Sequence, residues 1–222
     1  MERPDTTVEQ GENNDMSQIH QDFETPASEE TLLRVAERIR ERNIRVLIVK
    51  DGNEARQAVL EQLPKGAEVH SGKSKTLQDA GIFDAIQEPN LYEALRPRML
   101  KMDRQTQARE IRKLVAGPDF MLGSVNAVTE DGILVVASAT GSQLGPYVNT
   151  AGKVILVVGS QKIVSNLDTA FRRIREHVLP WEDAQVRKVV NMGSFVGKTL
   201  IIEREWINER MTVILVREPI GV

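Results

Sequence analysis

The chain has 222 residues, which is enough for one sizeable domain folded around a single core. Its net charge of −3 provides no overall positive field for phosphate backbones, so we expect no nucleic-acid partner. The sequence contains no cysteine, which excludes a disulfide framework, a thiolate nucleophile and any iron–sulfur or zinc site built on thiolates.

The first 27 residues are polar and acidic and carry few large apolar side chains, so burial cannot offset the entropy lost on ordering them. We predict a flexible tail at residues 1–27 and a single domain at residues 28–222. The tail has no apolar signal-peptide core, and no later apolar run approaches the roughly 20 residues of a membrane helix. We therefore expect a cytoplasmic protein without membrane insertion.

The domain is predicted to begin with a helix that Ser28 caps and that ends near Arg42. A β-branched run at residues 44–49 is typical of a strand. Residues 67–76 indicate a second strand followed by a polar loop, and a long charged helix is predicted over residues 98–115.

Compact apolar runs dominate the second half of the chain, at residues 127–128, 133–137 and 154–158. Such runs are typical of strands that are buried on both faces of a mainly parallel sheet, so we expect all three to be central strands. A helix over residues 167–177 and two final strands continue the alternation. The predicted fold class is therefore α/β, with a mainly parallel sheet flanked by helices.

Two fragments, at residues 71–74 and 196–199, combine glycine and lysine as a phosphate-binding loop does. Ala67 and Met192 stand where the Walker A pattern requires its leading glycine. We therefore expect no nucleotide triphosphatase.

Polar segments follow three of the predicted strands and should meet at the edge where open α/β sheets bind ligands. The candidate ligand-binding residues of these segments are Ser74, Thr76, Gly141, Ser142 and Lys162. Backbone amides and a lysine ammonium at this edge could hold a small anionic ligand, either a phosphate or a carboxylate. The alternatives are a helix cap at Ser74 or Thr76 and a solvated side chain at Lys162.

The densest cluster of small and polar residues is the segment 123–132. Its candidate ligand-binding residues are Gly123, Asn126, Thr129 and Gly132. Glu130 and Asp131 are candidate catalytic residues, as a general acid or base. Because Asp-Gly is a favoured hairpin turn, the alternative is that both carboxylates are solvated turn residues.

The three histidines show no spacing typical of metal ligands, so we expect neither a metal site nor a cofactor. They are His20, in the tail, His70, at a strand end, and His177, near a helix end. A serine hydrolase triad is also unsupported, since histidine is sparse and the GxSxG motif is missing from the sequence.

Several motifs, in this order, resemble the LUD family, which includes lactate-utilisation protein C. The series consists of Ser74-x-Thr76-Leu77-x-x-x-Gly81, segment 123–132, Gly141, segment 157–164, Asp168-x-Ala170 and segment 197–203. The resemblance covers roughly residues 30 to 218. It implies a fold like that of ribose-phosphate isomerases, glucosamine-phosphate deaminases and coenzyme A transferases, with ligands at the carboxyl ends of the strands.

Family members of the lactate-utilisation type work with two iron–sulfur partner proteins in oxidising L-lactate to pyruvate. The resemblance therefore implies a cysteine-free accessory component of such a system. The chain departs from many relatives at Ser142-Gln143, where they have an Asn-Arg pair, so any anion contact from that arginine is lost. Whether the chain is itself an enzyme stays open. So does its oligomeric state, with a homodimer as one alternative because related folds often dimerise.

Two other functions are consistent with the sequence. A stand-alone isomerase or transferase acting on a phosphorylated or acyl substrate requires a shared pocket lined by Ser74, Asn126, Thr129, Glu130, Gly141 and Lys162. A folded interaction module would instead recruit partners through the acidic tail.

Overall fold

The computed structural model describes residues 23–88, 90–189 and 192–222. Most of the predicted tail, together with His20, lies outside these residues. Phe23 is within them and its side chain is buried, so the packed part of the chain begins before the predicted boundary at residue 28.

The described residues form both helices and strands. The helices are α1 Glu29–Glu41, α2 Gly52–Leu60, α3 Lys75–Asp79, α4 Ile82–Ala85, α5 Leu95–Leu100, α6 Ala108–Ala116, α7 Leu167–Arg173 and α8 Leu179–Val189. The strands are β1 Arg45–Val49, β2 Glu68–Ser71, β3 Glu93–Ala94, β4 Phe120–Gly123, β5 Ala127–Thr129, β6 Leu134–Ser138, β7 Lys153–Gly159, β8 Ile163–Val164, β9 Lys198–Ile202 and β10 Met211–Val216. Ser28 caps α1 as predicted, since its hydroxyl accepts a hydrogen bond from the Thr31 N–H.

Six of the described strands form one sheet in the order β1-β10-β7-β4-β2-β3, and every neighbouring pair is parallel. The parallel pairing places the carboxyl ends of all these strands at one edge. Helices α2, α3 and α4 cover one face, where their apolar side chains pack against β7 and β10. The predicted fold class, an α/β protein with a mainly parallel sheet and flanking helices, is confirmed.

Two of the runs predicted as central strands of this sheet lie elsewhere. Strands β5 and β6 belong to a second sheet with the order β8-β5-β6-β9, and the prediction for them was wrong. Their turn contains Gly132 at φ +87°, and this short hairpin makes β5 and β6 antiparallel. Both faces of β5 and β6 are nevertheless covered, which is why their sequence is as apolar as that of a central parallel strand.

The second sheet and α1 together cover the other face of the parallel sheet. Leu134 and Val136 of β6 share one apolar cluster with Leu32 of α1 and with Leu156 and Val213 of the parallel sheet. On its outer face the second sheet packs against α7 and Phe23. The layers therefore run from α2–α4 through the parallel sheet to α1 with the second sheet, and then to α7.

The helix predicted over residues 98–115 is interrupted. Between α5 and α6 the Asp103 carboxylate accepts a hydrogen bond from the Gln105 N–H at 2.7 Å, and the Gln107 side chain accepts one from the Asp103 N–H at 2.9 Å. These local side-chain bonds compete with the helical ladder and form a turn instead. The helix predicted over residues 167–177, in contrast, extends further than predicted, because α7 continues through a π-helical turn at Ile174–Val178 into α8.

Candidate functional site

Polar residues meet where β2, β4 and β7 end. Strand β4 is followed by Ser124, β7 leads into a short 3₁₀ turn that contains Lys162, and β2 leads through a polar loop to Thr76 at the start of α3. Because the three strands are parallel neighbours, their carboxyl ends lie side by side at one edge of the sheet. Ligands of open α/β sheets bind at this edge.

The Lys162 side chain is the centre of this site. Its Nζ donates to Thr76 Oγ1 at 2.8 Å, to Ser124 Oγ at 3.1 Å and to the Val125 carbonyl at 3.3 Å. Only 2% of Lys162 is exposed, so the predicted alternative of a solvated lysine does not apply. All three bonds go to neutral oxygens, and no carboxylate among the described residues hydrogen-bonds to the ammonium.

The environment of Lys162 favours the neutral amine. Burial, together with the charge of Arg173, lowers the pKa of Lys162 to about 7, whereas Asp79 acts in the opposite direction. Burial has this effect because a low-dielectric interior disfavours the protonated form of a lysine. At neutral pH Lys162 is therefore protonated in some of the molecules and neutral in the others.

Thr76 and Ser74 have different roles although they are two residues apart. Thr76 is buried, accepts from Lys162 and donates to Ser124 Oγ at 3.2 Å. Ser74 caps α3, because its hydroxyl accepts a hydrogen bond from the Leu77 N–H at 3.3 Å. Ser74 is thus a helix cap, as one of the alternatives predicted. Thr76 is the residue of this loop that contacts Lys162.

The segment 218–222 covers this cluster. Gln161 holds the segment through a reciprocal pair of bonds, donating to the Ile220 carbonyl at 3.0 Å and accepting from the Ile220 N–H at 3.3 Å. Gly221, at φ +75°, donates to Asp79 and lies so close to Thr76 that a Cβ atom there would be 2.1 Å from Thr76 Oγ1. The segment therefore packs against Thr76, one of the hydrogen-bond partners of Lys162.

Gly123 permits close packing beside the cluster. A Cβ atom at this position would be 1.6 Å from the hydroxyl oxygen of Tyr147, so no larger residue fits. Tyr147 is buried, and burial raises its pKa, while a backbone hydrogen bond from Ser124 acts against that rise. Arg210 holds the Tyr147 turn, since its guanidinium donates to the carbonyl of Tyr147 at 3.2 Å and forms a buried ion pair with Glu205.

The residues of the β5–β6 turn lie at a different place. Val125, whose carbonyl contacts Lys162, precedes β5, whereas Glu130 follows it. Glu130 forms an exposed ion pair with Arg34 at 2.5 Å, and Asp131 is 3.5 Å from Arg42. These carboxylates line a surface cleft together with arginines of α1, which is the environment expected of solvated turn residues.

Thr129, Gly132 and Asn126 make bonds that stabilise the second sheet. The Thr129 hydroxyl accepts from the Ile133 N–H at 3.0 Å, and Gly132 supplies the positive φ of the turn. Asn126 Oδ1 accepts from the Ala137 N–H at 2.6 Å, which joins β6 to the segment before β5.

Gly141 and Ser142 belong to a loop that bonds mainly to itself. The Gly141 N–H donates to Ser138 Oγ at 2.9 Å, and the side chain of Lys198 lies over Gly141. Ser142 is exposed. Of the six residues that a stand-alone enzyme requires in one pocket, Lys162 lies in the buried cluster at the sheet edge, whereas Glu130 lines the surface cleft beside α1.

Arg173 is a buried cation that the sequence did not single out. Its Nη1 donates to the Asn126 carbonyl at 2.6 Å and its Nη2 to the Phe23 carbonyl at 3.4 Å, while Nε has no partner among the described residues. Burial lowers the pKa of Arg173 to about 10. Its position was detectable, because it lies three residues after Ala170 and one before Ile174, on the buried face of α7.

His70 is another buried polar residue, near the carboxyl end of β2. Its Nδ1 has no hydrogen-bond partner among the described residues, and burial, followed by the charge of Arg96, lowers its pKa to about 4. No group of His, Asp and Glu side chains able to hold a metal ion is found in the part of the chain that the structure describes. In that same part, every helix is too short or too polar to cross a membrane.

Comparisons with known proteins agree with the fold. No curated protein matches the chain. A crystal structure of a DUF162 family protein from Deinococcus radiodurans matches with a TM-score of 0.52 and 14% identity, covering 86% of this chain and 99% of that one. At this identity the similarity establishes the fold alone. The family model of the LUD domain matches residues 32–216, which is most of the sequence, and the chain therefore belongs to the LUD domain family.

Proposed function

We propose that this LUD-domain protein is a cytoplasmic, cysteine-free accessory component of an L-lactate utilisation system, in which it binds a small carboxylate beside Lys162. The observation that carries the proposal is the buried side chain of Lys162 at the carboxyl edge of the parallel sheet, whose Nζ bonds only to neutral oxygens. Membership of the LUD family supplies the link to lactate.

The energetics of buried charge support an anionic ligand. A buried cation is costly unless an anion compensates it, and Arg173 adds a second buried cation whose charge Lys162 senses. A carboxylate that entered this site would be attracted by both charges and would raise the pKa of Lys162 again. Lactate and pyruvate each carry one such carboxylate.

The composition of the chain supports a division of labour with partner proteins. Oxidation of lactate to pyruvate releases two electrons, and thiolate-ligated clusters that could accept them need cysteines that this sequence lacks. Iron–sulfur partner proteins would then carry the electrons, and this chain would bind the carboxylate. A homodimer stays a prediction.

Thermal unfolding in the presence of candidate ligands tests the binding role. L-Lactate and pyruvate should raise the melting temperature of the wild-type protein, with a stabilisation of about 2.7 kcal/mol at roughly 100 times the Kd. Lys162→Met should abolish the shift. Lys73→Met, which removes an exposed lysine of the neighbouring loop, should preserve it. An equal shift in Lys162→Met, or a response to sugar phosphates or coenzyme A alone, would contradict the proposal.

Growth on L-lactate tests the cellular role. A strain lacking this protein should lose growth on L-lactate and keep growth on pyruvate, and the tagged protein should co-purify with cluster-bearing partners. Unchanged growth on lactate would rule out the assignment to lactate utilisation.

A further inference from the structure

We propose that Lys162 forms a reversible imine with the carbonyl group of a small 2-oxo acid, while the hydroxyls of Thr76 and Ser124 carry the protons. The choice of a 2-oxo acid rests on the carboxylate-binding role proposed above. The covalent step rests on the contacts of the amine itself. Lys162 Nζ lies 2.8 and 3.1 Å from two hydroxyl oxygens, in a position that is 2% exposed.

The hydrogen bonds of the cluster can accommodate both protonation states of the amine. As an ammonium, Lys162 donates to Thr76, to Ser124 and to the Val125 carbonyl. As a neutral amine it has two N–H donors and one lone pair, and a serine or threonine hydroxyl can rotate to donate to that lone pair. Two carboxylates in place of the hydroxyls would hold the ammonium, whereas hydroxyls permit the nucleophilic form.

Burial and the nearby charge of Arg173 also favour the neutral amine of Lys162. Burial and the charge of Arg173 lower the pKa of Lys162 to about 7, with Asp79 opposing them. Compared with a solvated lysine, the fraction of neutral amine at neutral pH is larger on the order of a thousand-fold. The positive charge of Arg173 also attracts the carboxylate of a 2-oxo acid.

The chemical step needs no oxidant or reductant. The lone pair of Nζ adds to the carbonyl carbon, the C–O π electrons move to oxygen, and the hydroxyl pair transfers a proton from nitrogen to that oxygen. The nitrogen lone pair of the carbinolamine then forms the C=N bond while the C–O bond breaks, and the hydroxyl group leaves as water with the remaining N–H proton, which the hydroxyl pair transfers to it. Addition of water reverses the sequence and releases the 2-oxo acid.

Reductive trapping tests the imine. The full chain is incubated with pyruvate and sodium cyanoborohydride, and the modified residue is located by peptide mass mapping. We expect one reduced pyruvate adduct on Lys162, formed about ten-fold faster than on exposed lysines and faster as the pH rises through about 7. Lys162→Arg keeps the charge but cannot form the adduct, and Lys73→Arg should react like the wild type.

The outcomes separate this inference from the proposed function. L-Lactate carries the carboxylate without a carbonyl, so a thermal shift with both acids but no adduct on Lys162 overturns the imine and leaves the binding role intact. An adduct on Lys162 without any shift from lactate supports the imine and counts against the lactate role. A second test compares the folded wild type with the wild type unfolded in urea. If Lys162 forms the adduct as fast in the unfolded chain as in the folded chain, the imine proposal is wrong.

Discussion

Burial of Lys162 makes the free energy of unfolding depend on pH. The pKa of this lysine is about 7 in the folded chain, against an unperturbed value of 10.5. Between these two values the unfolded chain binds a proton that the folded chain has released, so stability rises with pH in this window. Below about pH 7 both states are protonated, and the destabilisation caused by burial is complete and constant.

Lys162→Met isolates this effect. The variant keeps a flexible chain in the same space and leaves Thr76 and Ser124 bonded to each other. We expect the stability of the wild type, relative to the variant, to increase by about 2 kcal/mol between about pH 7 and about pH 9. Urea denaturation at several pH values measures the difference.

The matched control is Lys73→Met, whose lysine is exposed and paired with Glu182 on the surface. Its stability curve should run parallel to that of the wild type over this pH range. Parallel curves for Lys162→Met and the wild type would show that Lys162 keeps an ordinary affinity for protons.

Two residues that the sequence predicted for the candidate site lie together in the structure. Thr76 and Lys162 were found because polar residues that follow strands of an α/β sheet meet at its carboxyl edge. The burial of Lys162 could not be predicted, since its partners Thr76 and Ser124 are 86 and 38 residues away along the chain. Arg173 was missed because an arginine at helical spacing is usually solvated, and only its neighbours Ala170 and Ile174 marked its face as buried.

At the scale of elements, the segment 218–222 packs against the lysine cluster. It begins two residues after the end of β10, and it is held by the Gln161–Ile220 pair and by the contact of Gly221 with Thr76 and Asp79. The Ile220 side chain is also buried in an apolar cluster, and the Glu218 N–H donates to the Lys50 carbonyl, but opening the segment breaks only these local contacts. Local opening therefore costs less than global unfolding.

Gly221→Ala should loosen this segment. The added methyl group would overlap Thr76 Oγ1, and the positive φ of +75° adds roughly 1–2 kcal/mol of backbone strain. We expect an amine-reactive reagent to modify Lys162 several-fold faster in the variant, as measured by peptide mass mapping. Gly66→Ala is the control, because Gly66 has a similar φ of +83° but nothing within 4 Å of its added Cβ atom. Equal rates in both variants would mean that the segment does not limit access.

Apolar patterns determined which helices and strands could be predicted from the sequence. Periodicity located α1 and the strands β1, β7 and β10, because an apolar pattern reports burial. Burial on both faces does not report which sheet a strand joins, and β5 and β6 were therefore assigned to the wrong one. The break between α5 and α6 depends on side-chain bonds of Asp103, which a helical pattern of apolar residues does not reveal.

At the scale of the whole molecule, one apolar cluster joins the two sheets. Leu134 of the second sheet is fully buried in the cluster that also contains Leu156 and Val213 of the parallel sheet and Ile39 of α1. A cavity opened at this position removes contacts from both sheets at once. We therefore propose that the two sheets unfold as one cooperative domain, as the sequence led us to expect.

Leu134→Ala tests this cooperativity. The variant should lower the free energy of unfolding by about 2–5 kcal/mol, because the methyl groups it removes leave a cavity in a packed core. Native-state hydrogen exchange should report the same loss of protection for amides of β10 and of β6, although only β6 carries the substitution. The control is Leu33→Ala, at a position of α1 that is 46% exposed. It should change the free energy of unfolding, and the opening free energies of amides in β6 and β10, by no more than about 0.5 kcal/mol. If protection fell in β6 while β10 stayed unchanged, the second sheet would be a separate folding unit. The segment before β5, whose Val125 carbonyl accepts a hydrogen bond from Lys162, could then open without the parallel sheet.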